Sequence, residues 1–148
     1  MSCFVINEWL WHYATGDRAQ KSFALDVVDK VARSEHVTTI VVARSAFERK
    51  LFRCLKSPDV TTRTIAALYW KAIRLDSDRC RLVEPGDEAL PVEYRAVRDD
   101  DWYLIRALLS DESAALVSSD APLRQIVETA GRVALAPQAF LTRVSIEI

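Results

Sequence analysis

A chain of 148 residues, half of it hydrophobic and 28% charged, suits one compact domain spanning 1–148 and can bury a sizeable core. A net charge of −1 argues against high-affinity, non-specific attraction to nucleic acid or an anionic membrane, though it leaves room for a local basic face. Cys3, Cys54 and Cys80 are far apart and form no CxxC, and no signal-peptide pattern or membrane-length apolar run occurs, which excludes a disulfide framework, a thiolate zinc site and a membrane span and implies reduced thiols in a cytoplasmic protein.

Cys3 to Ile6 is apolar without alternation, the pattern of a strand covered on both faces. Asn7 can cap a helix starting near Glu8. Phe23, Val27, Val28 and Val31 recur at helical spacing and predict a helix over about 17–34, and the β-branched run 36–42 predicts a second buried strand. Ser45-Ala-Phe-Glu48 has the S-x-x-E form of a capping box, and Phe47, Leu51, Cys54 and Leu55 behind it predict a helix over 46–55. Ser57-Pro58 opens another, with serine at the cap and proline in the first turn, running to Leu75.

Residues 81–83 form a candidate short strand, and Glu84 begins a loop that reaches about Arg98. Asp100 or Asp101 then opens a helix carrying Leu104, Ile105, Leu108 and Leu109. A buried strand over 114–117 ends in Ser118-Ser-Asp120; a helix over 122–130 is stopped by Gly131; 133–135 is a strand; Pro137 opens a last short helix; and Val144-Ser-Ile-Glu-Ile148 alternates as an edge strand. Helices alternating with short, doubly buried strands predict an α/β three-layer sandwich with a short, mainly parallel central sheet flanked by helices.

In such sheets active groups gather at the carboxyl ends of the strands. Those ends here carry Asn7 and Glu8 after the first strand, Glu48 one helical turn beyond the second, Asp99, Asp100 and Asp101 before the fourth, and Asp120 after it. Clustered carboxylates repel one another, and hard divalent cations such as Mg²⁺ or Mn²⁺ favour such oxygen ligands and can activate water against a phosphodiester.

The order of these segments resembles the PIN-domain family. Asp101-Trp-Tyr-Leu-Ile-Arg-Ala-Leu-Leu, then Ala115-Leu-Val-Ser-Ser-Asp120-Ala-Pro-Leu, resembles the family's aspartate-led helix, apolar strand and small-polar-Asp ending. Val133-Ala-Leu-Ala-Pro137-Gln-Ala-Phe-Leu141 is similar to its closing strand and proline-led helix, and Glu48 matches its acidic residue after the second strand. The opening stretch departs from the pattern, because Asn7 stands where members have an aspartate, and Glu8 restores a carboxylate one residue later. The resemblance covers nearly the whole chain, with 75–98 the least typical part. It implies a metal-dependent endoribonuclease that cuts single-stranded RNA. Asp101, Asp120 and Glu48, with Glu8, would be the catalytic acids, and Asp101, Asp120, Glu48, Asn7 and Asp100 the ligands of Mg²⁺ or Mn²⁺. It also allows a toxin role with a small antitoxin protein, and a homodimer. The alternative is a catalytically degenerate scaffold of the same fold that binds RNA or a protein partner.

Each residue also has a plainer reading. Asn7 can simply cap a helix, Glu8 can favour a helix N-terminus, Glu48 can close the capping box onto the Ser45 backbone, and Asp120 can cap the helix begun at Pro122. Trp9 and Trp11 read as packing or surface aromatics, and His12 and His36 as ordinary helix or surface residues. Arg44, Arg49, Lys50 and Arg53, with Lys56 and Arg63 nearby, form a basic cluster that either is a solvated face or guides an RNA backbone toward the carboxylates.

Overall fold

The computed structural model describes residues 2–146. Five strands form one sheet, β1 (Ser2–Ile6), β2 (Val37–Val42), β3 (Cys80–Val83), β4 (Ala114–Val117) and β5 (Ala134–Leu135), in the order β3-β2-β1-β4-β5. Every neighbouring pair is parallel. Parallel pairing requires crossovers. They are α1 (Trp9–Ala14) and α2 (Arg18–Arg33) after β1, α3 (Ala46–Leu55) and α4 (Val60–Tyr69) after β2, α5 (Trp102–Leu109) before β4, and α6 (Ala121–Thr129) after it. A last helix, α7 (Pro137–Ile146), closes the described chain. No described helix is long and apolar enough to cross a membrane.

The doubly buried strands show why the fold has three layers. Phe4 and Ile6 of β1, Val37 and Val41 of β2, and Ala115 and Val117 of β4 join a core with residues of α1, α2, α3, α4 and α7. The alternate residues, Cys3, Val5, Ile40, Val42, Ala114 and Leu116, face a second core with α5 and α6. Period-two side-chain direction thus divides one apolar sequence between two helical layers. Cys3, Cys54 and Cys80 are buried free thiols.

The chain runs from β1 outward to β2 and β3, then returns past β1 to build β4 and β5. The carboxyl end of β1 is therefore the point where strand order reverses, and there the flanking crossovers diverge and leave a crevice. Ile6 pairs with Val117, and the Asn7 amide N–H donates to Val117 O at 2.9 Å, so residues 7 and 8 leave the sheet at that crevice.

Several local expectations give way to better-partnered alternatives. Residues 144–146 continue α7 rather than forming an edge strand, because Val144 lies one helical turn from Phe140 and both bury in the first core; residues 147 and 148 of that expected strand lie outside the described residues. The cap of α4 is Asp59, not Ser57: the Asp59 carboxylate accepts from the Thr62 amide at 2.9 Å and its hydroxyl at 2.8 Å, while the Ser57 hydroxyl accepts from the Asp59 amide and leaves Pro58 outside the helix. The α-helical pattern ends at Tyr69 instead of running to Leu75, and one π-helical turn spans Trp70–Arg74, with the Leu75 N–H bonded to Trp70 O at 3.0 Å. Gly131 stops α6 through positive φ, 84°, with its own N–H on Glu128 O and that of Arg132 on Val127 O, the paired bonds of a Schellman ending.

Candidate carboxylate site at the sheet's switch point

Glu8 is the first residue beyond the crevice, and it joins the two helical layers. Its Oε2 accepts from the Tyr103 hydroxyl of α5 at 2.8 Å, and its Oε1 meets Lys50 Nζ of α3 at 2.6 Å. The same ammonium lies 2.7 Å from His12 Nε2, one turn along α1. Since lysine only donates, this nitrogen of His12 is an acceptor and the imidazole neutral. Burial, and then the adjacent Lys50 charge, hold the His12 pKa below its ordinary value, against the pull of Glu8. Burial, reinforced by the Glu8 carboxylate, keeps the Tyr103 phenol protonated well above its normal range.

Asn7 does not serve as the expected cap. Its Oδ1 accepts from the adjacent Glu8 amide at 2.6 Å, its Nδ2 donates to Ser118 Oγ at 3.0 Å, and the start of α1 receives no side-chain bond. Parallel register explains this, because the residue after Ile6 lies beside the residue after Val117. The Ser118 hydroxyl also accepts from the Asp120 amide.

Glu48 is 4% exposed and does not close the capping box. Ser45 Oγ accepts from the Glu48 amide at 3.4 Å, but the Ser45 N–H bonds Val42 O, and the Glu48 carboxylate turns to Arg74 Nε at 2.8 Å. Arg74 ends the π turn, which shifts its side chain relative to a continuous α-helix. Hydrogen bonding to Glu48 raises the Arg74 pKa despite partial burial.

Asp101 ends a 3-10 turn, Asp99–Asp101, that leads into α5, and its side chain makes no cap bond. Its pKa is raised to about 6, first by burial and then by the charges of Asp100, Glu8 and Asp120, with Arg98 opposing. Glu8, Asp101 and Asp120 therefore share one electrostatic neighbourhood. Asp100 is exposed and lies 3.6 Å from Arg98. Asp120 is exposed, and it caps α6 through the Leu123 N–H at 3.1 Å, the plainer of the two readings its sequence position allows.

The carboxylates of Glu8, Asp101 and Asp120 offer the oxygen donors that hard divalent cations favour, beside the Lys50 ammonium that holds Glu8. Among the described residues no three His, Cys, Asp or Glu side chains are grouped tightly enough to hold a metal. Two carboxylates completed by water and substrate phosphate suffice for Mg²⁺. Asp101, crowded by Asp100, Glu8 and Asp120 and eased only by Arg98, is with Asp120 the candidate for that need, whereas Glu8 and Glu48 are already paired with cations.

The expected basic face divides. Arg44, at positive φ of 59°, pairs with Glu84 at 2.8 Å and accepts at its carbonyl from Arg49 Nη1. Lys50 turns into the pocket, while Arg53 and Lys56 are exposed. Trp9 and Trp11 are core residues; Trp9 Nε1 donates to Val117 O, and Trp11 packs edge-on against Tyr69 at 5.0 Å between centroids.

Sequence reasoning missed Tyr103, Arg74, Ser118 and the inward role of His12 and Lys50. His12 follows Glu8 by four residues, the spacing of one helical face, whereas the two-residue spacing of Tyr103 from Asp101 carries no such signal. Arg74 had no such signal, because the π turn breaks the helical register. The fold and site define an α/β sandwich with a carboxylate pocket at its topological switch point. No family model matches the chain, and no curated protein matches it.

Proposed function

We propose that this chain is a PIN-like, metal-dependent endoribonuclease acting on single-stranded RNA. What supports the reading is that Glu8, Asp101 and Asp120 come from three separate segments at the carboxyl edge of the sheet, and that the charges of Glu8 and Asp120 help to raise the Asp101 pKa. Asp101 and Asp120 would hold a divalent ion, Mg²⁺ or Mn²⁺. Such an ion lowers the pKa of water and offsets charge developing on a phosphate. Tyr103 and Lys50 fix the Glu8 carboxylate, and the Asn7–Ser118 bond holds the chain leaving β1 beside the loop that carries Asp120. Exposed Arg53 and Lys56, with Arg49, provide positive charge for an RNA backbone. A small antitoxin partner, self-association and a cytoplasmic site belong to the same proposal.

The internal neutralisation of Glu8 and Glu48 favours a second reading, a scaffold of this fold that binds RNA or protein without cutting it. Cleavage of end-labelled single-stranded RNA by metal-stripped protein with added Mn²⁺ separates the two. The nuclease reading expects cleavage by wild type and a loss of at least about 100-fold in Asp101→Asn and Asp120→Asn. Absence of Mn²⁺-dependent cleavage in wild type, with RNA still bound, would instead establish the scaffold.

A further inference from the structure

Resting on the reading that the chain takes single-stranded RNA, we propose that Phe52 is a stacking platform for a base of that strand, flanked by basic residues of α3 that hold the neighbouring phosphates. Phe52 is 41% exposed on α3, and it does not stand alone. Its ring meets Trp70 at 5.7 Å between centroids and 67° between planes. The Arg74 guanidinium lies over Trp70, 5.5 Å from the ring centroid, and donates to the buried Glu48 carboxylate at 2.8 Å. An unbroken run of contacts therefore braces the exposed ring against a buried anchor. The π turn supplies two members of that run, since Trp70 and Arg74 are its first and last residues. A braced ring loses little freedom when a flat ligand stacks on it.

The charge around the ring selects the ligand. Residues 46–75 carry seven lysines and arginines against two acids, in a chain whose net charge is −1. Both acids are spent, Glu48 on Arg74 and Asp59 on Lys21. Arg49 lies three residues before Phe52 and Lys56 four after it, on the same helical face, and Arg53 is adjacent. All three are exposed, and among the described residues none of them pairs with a carboxylate. An aromatic ring between cations matches a base between phosphates, the pattern of single-strand binding surfaces. A duplex keeps its bases stacked on one another and leaves none for the ring. A second copy of the chain docked symmetrically on this face would set the two basic clusters against each other.

The test is fluorescence anisotropy of a labelled oligoadenylate RNA of about 12 nucleotides, a site size within the range of such surfaces, with full-length protein in chelator so that binding is read without metal. Phe52→Ala weakens binding about tenfold, and Phe52→Trp stays within about threefold of wild type. An abasic strand of the same length binds wild type about tenfold more weakly and does not distinguish wild type from Phe52→Ala. Arg53→Gln/Lys56→Gln weakens both strands alike and flattens the salt dependence. Equal binding by wild type and Phe52→Ala, equal binding of the intact and abasic strands, or no binding by wild type each overturns the proposal. So does a dimer in sedimentation that Phe52→Ala dissociates, which would make the patch a protein interface. The Mn²⁺ cleavage assay judges the nuclease reading separately. Base-dependent binding through Phe52 without cleavage upholds the platform while the nuclease reading fails, and cleavage with binding untouched by Phe52→Ala does the reverse.

Discussion

Asp101→Asn should make the protein more stable at neutral pH. The Asp101 carboxyl is raised from 3.8 to about 6 by burial and by Asp100, Glu8 and Asp120. A raised carboxyl pKa means that the folded state binds the proton more tightly than the unfolded chain. Between those two values the folded state carries more protons, so stability falls as pH rises, and above about 6 the full penalty of the ionised form is present. Two pKa units correspond to about 3 kcal/mol. Asp101 is partly exposed, and solvent screening brings the expected effect to about 1 kcal/mol, or about 2–4 °C in Tm for a chain of this size. Asparagine removes the charge without losing a cap bond, since the Asp101 side chain makes none. Thermal unfolding in chelator should show the variant more stable at pH 7.5 and level with wild type near pH 4. Equal stability at both pH values, or a less stable variant at pH 7.5, would refute the crowding of charge in the pocket. Because Asp101→Asn is also expected to lose cleavage, a gain in stability with a loss of activity is the signature of a functional strain rather than of a structural residue.

Arg74→Met should cost about 3 kcal/mol in urea unfolding, because it leaves the Glu48 carboxylate buried without its cation, and Arg74→Met/Glu48→Gln should recover part of that loss; a double variant no better than the single one would refute the pairing. Gly131→Ala should cost about 1–2 kcal/mol through backbone strain alone, since a Cβ there meets nothing within 4 Å while φ is 84°; a change under about 0.5 kcal/mol would contradict the left-handed ending of α6.

Much of the architecture was legible because it rests on short-range pattern. The strand at 114–117 and the helix at 46–55 appear where apolar runs and capping signals put them, and the all-parallel sheet follows from doubly buried strands separated by helices. The failures share a cause. Ser57, Asn7 and Glu48 each carry a side chain able to cap a helix, and each was outcompeted by a partner distant in sequence or better placed: Asp59 for Ser57, Ser118 for Asn7, Arg74 for Glu48. Capping motifs describe what a side chain is able to do locally, and tertiary packing chooses among the options. At 144–146 the alternating and helical patterns coincide over so short a run that only the packing of Val144 beside Phe140 decides.

The same competition explains why a glutamate stands at position 8. Parallel register places residue 7, just beyond β1, beside the residue that follows β4, and its short amide side chain donates to Ser118. Residue 8 begins the turn into α1, between the layers, and only a longer arm touches both: Tyr103 belongs to one and Lys50 to the other. A charge at position 8 is therefore neutralised by the protein itself. A carboxylate at position 8 couples the two helical layers through Tyr103 and Lys50. The acidic residues at this edge of the sheet thus hold different partners: Glu8 pairs with Lys50, Glu48 with Arg74, and Asp120 caps α6, while the Asp101 side chain makes no cap bond.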